Sequence, residues 1–126
     1  MELAVNGTLM RGLELNRNLL DVGARFVREA KTDNAYRLYS INDRHPAMYR
    51  VAKGDGRQIE VEIWELDGDG IASVLEKEPP GLCVGKVVLS DGSIVLGVLG
   101  EPHIFEGQKD ITNYGGWRHY AGELAQ

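Results

Sequence analysis

Hydrophobic and polar positions alternate most cleanly in the middle of the chain. In "QIEVEIWEL" (58–66), Ile59, Val61, Ile63 and Leu66 fall on or near one side, and Glu60, Glu62 and Trp64 on the other. That period of two predicts a β-strand with a core-facing Ile59–Val61–Ile63 row. "YRLYSI" (36–41) alternates in the same way, and "AMYRV" (47–51) follows Pro46, which suits a strand start or an edge. Asp55-Gly56 marks the turn before the 58–66 strand. Residues 2–6 read as a short buried strand ending at Gly7, and another strand is expected from about Arg25 to Thr32.

Elsewhere the period changes. Leu15, Leu19, Leu20 and Val22 are spaced for one face of a short helix, with Asn16 or Asn18 near its start. "DGIASVLEKE" (69–78) predicts a second helix, stopped by Pro79-Pro80. "LCVGKVVLS" and "SIVLGVLG" flank Asp91-Gly92, a strong hairpin signal. The tail "DITNYGGWRHY" (110–120) shows little periodicity and is expected as a loop packed on the surface. Six or seven strands with two short helices predict an α+β fold, a small curled mixed β-sheet or barrel forming one domain over residues 1–126.

Composition narrows the function classes. At 126 residues, with 43% hydrophobic and 26% charged residues, the chain reads as an ordinary globular domain. A net charge of −5 with scattered Lys and Arg offers no basic face for nucleic acid. Cys83 is the one cysteine, which excludes a disulfide framework and fits a reducing, cytoplasmic setting. Cys83 itself falls in an expected strand and reads as a small apolar residue. There is no basic-then-apolar start, and no apolar run approaches ~20 residues, so neither a signal peptide nor a membrane span is expected. His45, His103 and His119 lack metal-site spacing, and "DGDG" (67–70) reads as a turn, so no metal and no cofactor is expected.

Three stretches carry candidate chemistry. In "AVNGTLMRG" (4–12), a turn at Gly7-Thr8-Leu9 just before a helix leaves backbone N–H groups unpaired. Those groups and the helix dipole favour a carboxylate. Gly7 keeps open a space that a Cβ would fill. The alternative is a plain connection with Thr8 capping the helix. Glu78, at a helix end against Pro79-Pro80, is the candidate general acid/base, its pKa raised by burial, with Glu76 as the neighbouring choice. The alternative there is a solvated charge. In "GGWR" (115–118), Trp117 is brought back onto the body of the protein and Arg118 forks a carboxylate. Otherwise Trp117 pins the tail, and Arg118 is solvated or pairs with Asp110.

The order of these signals resembles the γ-glutamyl cyclotransferase-like fold from Met1 to about Gly100. "NGTLMRG" looks like that family's Tyr-Gly-Ser/Thr-Leu loop, "YRLY" with "PAM" like its second and third strands, and "SVLEKE" like the segment bearing its catalytic glutamate. "DITNYGGWRHY", with "GKVVLSDG" (85–92) before it, narrows the resemblance to the C-terminal domain of allophanate hydrolase. In that enzyme an amidase domain hydrolyses allophanate, and the C-terminal domain removes a carboxyl group from the resulting N-carboxycarbamate. Three positions depart from the patterns: Asn6 stands for the cyclotransferase tyrosine, no tyrosine follows near Gly81–Val84, and Leu9 stands where the allophanate hydrolase domains carry a histidine.

The resemblance implies a stand-alone domain in urea and amide nitrogen metabolism. Its ligand is expected to be a small carboxylated amide or carbamate, held by Asn6, Gly7, Thr8, Leu9, Trp117 and Arg118. The alternatives are γ-glutamyl cyclotransfer with Glu78 shuttling the proton, and a non-catalytic module or partner of a separately encoded amidase.

Overall fold

The computed structural model describes residues 1–126. The first strand, β1 (Glu2–Val5), is nearly all apolar because it lies between two others. It runs antiparallel to β5 (Glu60–Glu65) and parallel to β7 (Ile94–Gly100). Adding β2 (Arg25–Lys31) beyond β5 and β6 (Leu82–Val88) beyond β7 gives a five-stranded sheet in the order β2-β5-β1-β7-β6.

The two edges of this sheet then meet at one end. Thr32 bridges Leu89, Asp33 N–H donates to Val88 O at 2.9 Å, and Ser90 N–H donates to Lys31 O at 2.9 Å. The sheet therefore closes into a barrel sealed at that end. A second sheet, β4-β3-β8, covers it: β3 is Tyr36–Ile41, β4 is His45–Arg50 and β8 is Lys109–Asp110. Asn42 and Asp43, in the β3–β4 turn, take left-handed φ values of 54° and 56°. Pro46 sits inside β4 opposite Ser40, on the edge strand of this smaller sheet, where a missing N–H is tolerated.

The helices pack around this frame. α1 (Asn16–Leu20) is a single short turn and a half with no side-chain cap. α2 (Gly68–Lys77) is capped by Asp67, whose Oδ1 accepts from Gly70 N–H at 2.7 Å, so the "DGDG" turn is the helix start. The tail departs from the expected loop: after two 3₁₀ turns, α3 runs over Trp117–Leu124. The fold is α+β as expected, with three α-helices and eight strands in two sheets.

Ile59, Val61 and Ile63 are buried in the main core as their alternation predicts. The opposite side of β5 is the surprise. Glu62 is 2% exposed and Trp64 is likewise buried, because the glycine loop and the C-terminal helix lie over them. No helix is long and apolar enough to cross a membrane.

Candidate functional site

The loop after β1 spends three of its carbonyls on its own hydrogen bonds and leaves the matching N–H groups free. Gly7 O accepts from Met10 N–H at 2.9 Å, Thr8 O from Leu15 N–H at 2.9 Å, and Leu9 O from Asn16 Nδ2 at 2.8 Å. The N–H groups of Gly7, Thr8 and Leu9 donate to no protein acceptor. Asn6 is buried and donates through Nδ2 to Val98 O at 3.1 Å, tying the loop to β7. Three carbonyls are spent inward and three N–H groups are left, which is the arrangement of an anion cradle.

Two sequence expectations about this loop need correcting. The helix does not follow it directly: α1 begins only at Asn16, so no helix dipole bears on Gly7–Leu9 and Thr8 caps nothing. Gly7 is not open space awaiting a ligand. A Cβ there would lie inside van der Waals distance of Pro46 Cγ and Cδ, so the glycine is required by the proline ring packed on it.

Residues Asn6–Leu9 line a narrow recess of about 20 Å³ whose other walls include His45, Pro46, Glu78 and Val98. Thr8, His45 and Glu78 also line an outer cavity of about 470 Å³, reached by Glu14, Asp43 and Arg44. Glu78 is the C-cap of α2, half-buried, and its carboxyl group makes no hydrogen bond within the protein. Burial without a compensating partner pushes it up to about 7. The structure thus brings Glu78 and the glycine loop to one recess, with Glu76 exposed on the helix outside it.

Two residues of this site were not singled out from the sequence. His45 lines both cavities, and its Nδ1 lies 3.0 Å from Pro46 O, which fixes the proton on Nδ1 and leaves Nε2 unprotonated in the neutral ring. Arg44 lines the outer cavity and its guanidinium has no ion-pair partner. Both follow the left-handed turn at Asn42-Asp43, where Asp43 Oδ1 accepts from Ser40 Oγ at 2.6 Å and from Tyr120 Oη at 2.7 Å. Those two hydroxyls hold the Asp43 carboxyl below its ordinary range.

Trp117 and Arg118 are elsewhere. They line a different cavity, of about 300 Å³, with Met10, Glu29, Glu60 and Glu62 among its walls. Trp117 is buried against Tyr120, ring centroids 5.8 Å apart. Arg118 Nη2 donates to Glu62 Oε2 at 3.1 Å and to Arg11 O at 2.6 Å, so its partner is Glu62 and not Asp110. Asp110 is taken by Arg37, 2.7 Å away. Neither Trp117 nor Arg118 touches the recess that holds Glu78. Of the remaining candidates, Cys83 is half-buried and its thiol is pushed up by burial, which suits an inert packing residue.

The family model of the allophanate hydrolase C-terminal domain matches residues 1–122. The chain belongs to the allophanate hydrolase C-terminal domain family. Urea amidolyase of Saccharomyces cerevisiae is 31% identical over 126 residues, covering 95% of this chain but only 7% of that much longer protein. Among solved structures, a uropathogenic E. coli-specific protein is 58% identical with a TM-score of 0.93, covering 96% of this chain and 94% of its own. Kluyveromyces lactis allophanate hydrolase is 30% identical with a TM-score of 0.92, covering 98% of this chain and 21% of that one. An aig2-like protein of Mus musculus, described as "ggact", shares the fold alone, at 20% identity and a TM-score of 0.58 over 84% of this chain and 79% of its own. The chain is therefore similar over its whole length to a small part of the multidomain members of the family.

Proposed function

We propose that this domain binds a small carboxylated amide or carbamate in the outer cavity, with one carboxylate directed into the recess between the glycine loop and Glu78, and removes a carboxyl group from it as CO₂. The observation that carries this reading is the run of free N–H groups at Gly7–Leu9, which shares one recess with the half-buried, unpartnered carboxyl group of Glu78. Family membership and the similarity to urea amidolyase and allophanate hydrolase support a role in urea and amide metabolism.

The chemistry follows from what the recess offers. One carboxylate of the ligand lies against the free N–H groups, which neutralise its charge without reorganising. The neighbouring carboxylate then loses CO₂ as its bond to nitrogen breaks, and the electron pair of that bond stays on the nitrogen. Glu78, half-protonated near neutrality, gives its proton to that nitrogen and regains one through the outer cavity. The supply of such a substrate falls to an amidase acting on allophanate.

A thermal-shift and calorimetric titration with malonate tests this, because malonate carries CH₂ where the substrate carries NH. Malonate stabilises the native state, by about 2.7 kcal/mol at 100 times its Kd. Glu78→Gln keeps malonate binding and loses at least ~100-fold of the CO₂ released from N-carboxycarbamate generated by an added amidase. The same Glu78 proton transfer would also serve γ-glutamyl cyclotransfer; a shift with a γ-glutamyl amine and none with malonate selects that reaction. Malonate binding with no turnover marks the domain as a binding module.

A further inference from the structure

The conspicuous tail motif Gly115-Gly116-Trp117-Arg118 does not reach the recess, yet it is tied to the glycine loop. Glu62 is the link. Its carboxylate is 2% exposed and receives four donors: Arg11 N–H at 2.8 Å, Arg11 Nε at 3.2 Å, Trp64 Nε1 at 3.2 Å and Arg118 Nη2 at 3.1 Å. Burial alone would push Glu62 up, but these donors more than offset it and leave the carboxyl below its ordinary range. Arg118 Nη2 also donates to Arg11 O at 2.6 Å. Both main-chain groups of Arg11 are therefore held, the N–H by Glu62 and the carbonyl by Arg118.

Arg11 lies two residues beyond Leu9, where the run of free N–H groups ends. We infer that Glu62 and Arg118 form a clamp that fixes the far end of the amide cradle, making them positioning residues for the anion site rather than ligands of it. This rests on the function proposed above for the recess. Without the clamp, Met10 keeps its buried side chain and the turns Met10 N–H to Gly7 O and Leu13 N–H to Met10 O, but nothing holds the main chain of Arg11, whose side chain otherwise pairs with exposed Glu29 and stacks on Phe26. An amide cradle binds an anion well only when its N–H groups are already converged, so loosening one end weakens binding without removing any contact.

The tail is shaped for this purpose. Gly115 takes φ +78° and its carbonyl accepts from Glu60 N–H at 2.8 Å, which docks the tail on β5. A Cβ on Gly116 would come within 2.9 Å of Glu60 Oε2, so the second glycine lets the chain pass at that distance. Buried Trp117 then anchors the start of α3, and Arg118 is delivered to Glu62.

Amide hydrogen exchange and malonate titration on Arg118→Met and Arg118→Lys test the clamp in the full chain. In Arg118→Met, exchange at Met10, Arg11 and Leu15 should quicken at least about tenfold, the effect of losing one charge-assisted hydrogen bond, while β5 amides keep their protection. Malonate should weaken by a similar factor, and Arg118→Lys, which keeps a charged donor on a shorter side chain, should recover part of each loss. Unchanged exchange at those three amides, or faster exchange spread equally through β5, overturns the clamp. If malonate fails to bind even the wild-type chain while the three amides still quicken, the clamp stands and the reading of the recess falls.

Discussion

The ring of Pro46 lies directly on the α-carbon of Gly7, so closely that no side chain fits between β4 and the glycine loop. Gly7→Ala should therefore destabilise the fold by about 1–3 kcal/mol, as overpacking of a close contact does. The cost should shrink in a Pro46→Ala background. A double-mutant cycle by urea unfolding measures this, and an additive cycle would show that the two residues do not meet.

Stability should depend on pH through Glu78. Its folded pKa of about 7 lies above its ordinary value of 4.5, so the native state holds the proton more tightly than the unfolded chain. The sign follows: the contribution of Glu78 to stability is full below 4.5 and is lost as pH rises through about 7. The decline amounts to up to about 3 kcal/mol, at about 1.36 kcal/mol per pKa unit. Glu78→Gln should flatten that slope and be the more stable protein at pH 8. Parallel profiles for the two proteins would show that Glu78 titrates normally.

Arg44, with no ion-pair partner, is the guanidinium that reaches the outer cavity. Replacing it with Met should weaken malonate about tenfold. Unlike the Arg118 variant, it should leave exchange at Met10 and Arg11 unaltered. Calorimetry beside the exchange map separates a group that meets the ligand from one that holds the cradle.

Thr112 closes the second sheet with a side chain. Its buried Oγ1 accepts from Leu38 N–H at 2.9 Å, where a strand partner's carbonyl would otherwise stand. Thr112→Val keeps the shape and strands that N–H in the core, for a loss of about 1–3 kcal/mol in chemical denaturation.

The strands were legible because their signal is local. Alternation along Ile59–Ile63 and the Asp91-Gly92 turn need no knowledge of the rest of the chain, and both stand where expected. Glu62 was not legible for the converse reason. Its side of β5 reads as solvent-facing until α3 and the glycine loop are laid over it, and those come from opposite ends of the sequence. A signal for α3 was present: Trp117, Tyr120, Ala121 and Leu124 follow helical spacing, but it becomes visible only when the pattern is carried past Tyr120. At the recess, the glycine loop and Glu78 carry motifs of their own. Arg44 and His45 do not, because a left-handed turn at Asn42-Asp43 puts them there, and Asn and Asp, though enriched in that conformation, also serve in many others.

The barrel seam at Thr32 and Leu89 has a consequence for how the chain reaches this form. Across the seam, Lys31 O and Asp33 N–H are bonded by Ser90 N–H and Val88 O, which belong to the β6–β7 hairpin. That hairpin can assemble from near neighbours, and so can β3–β4, but the seam joins segments far apart in sequence. Contacts of that kind wait on a large loss of chain freedom before they stabilise anything. A ribosome-bound chain that stops short of Ser90 therefore carries an unsealed sheet whose β2 edge, with Val27 exposed on it, stays open to other strands. The vulnerable interval in the life of this protein lies between the making of β5 and the making of the β6–β7 hairpin.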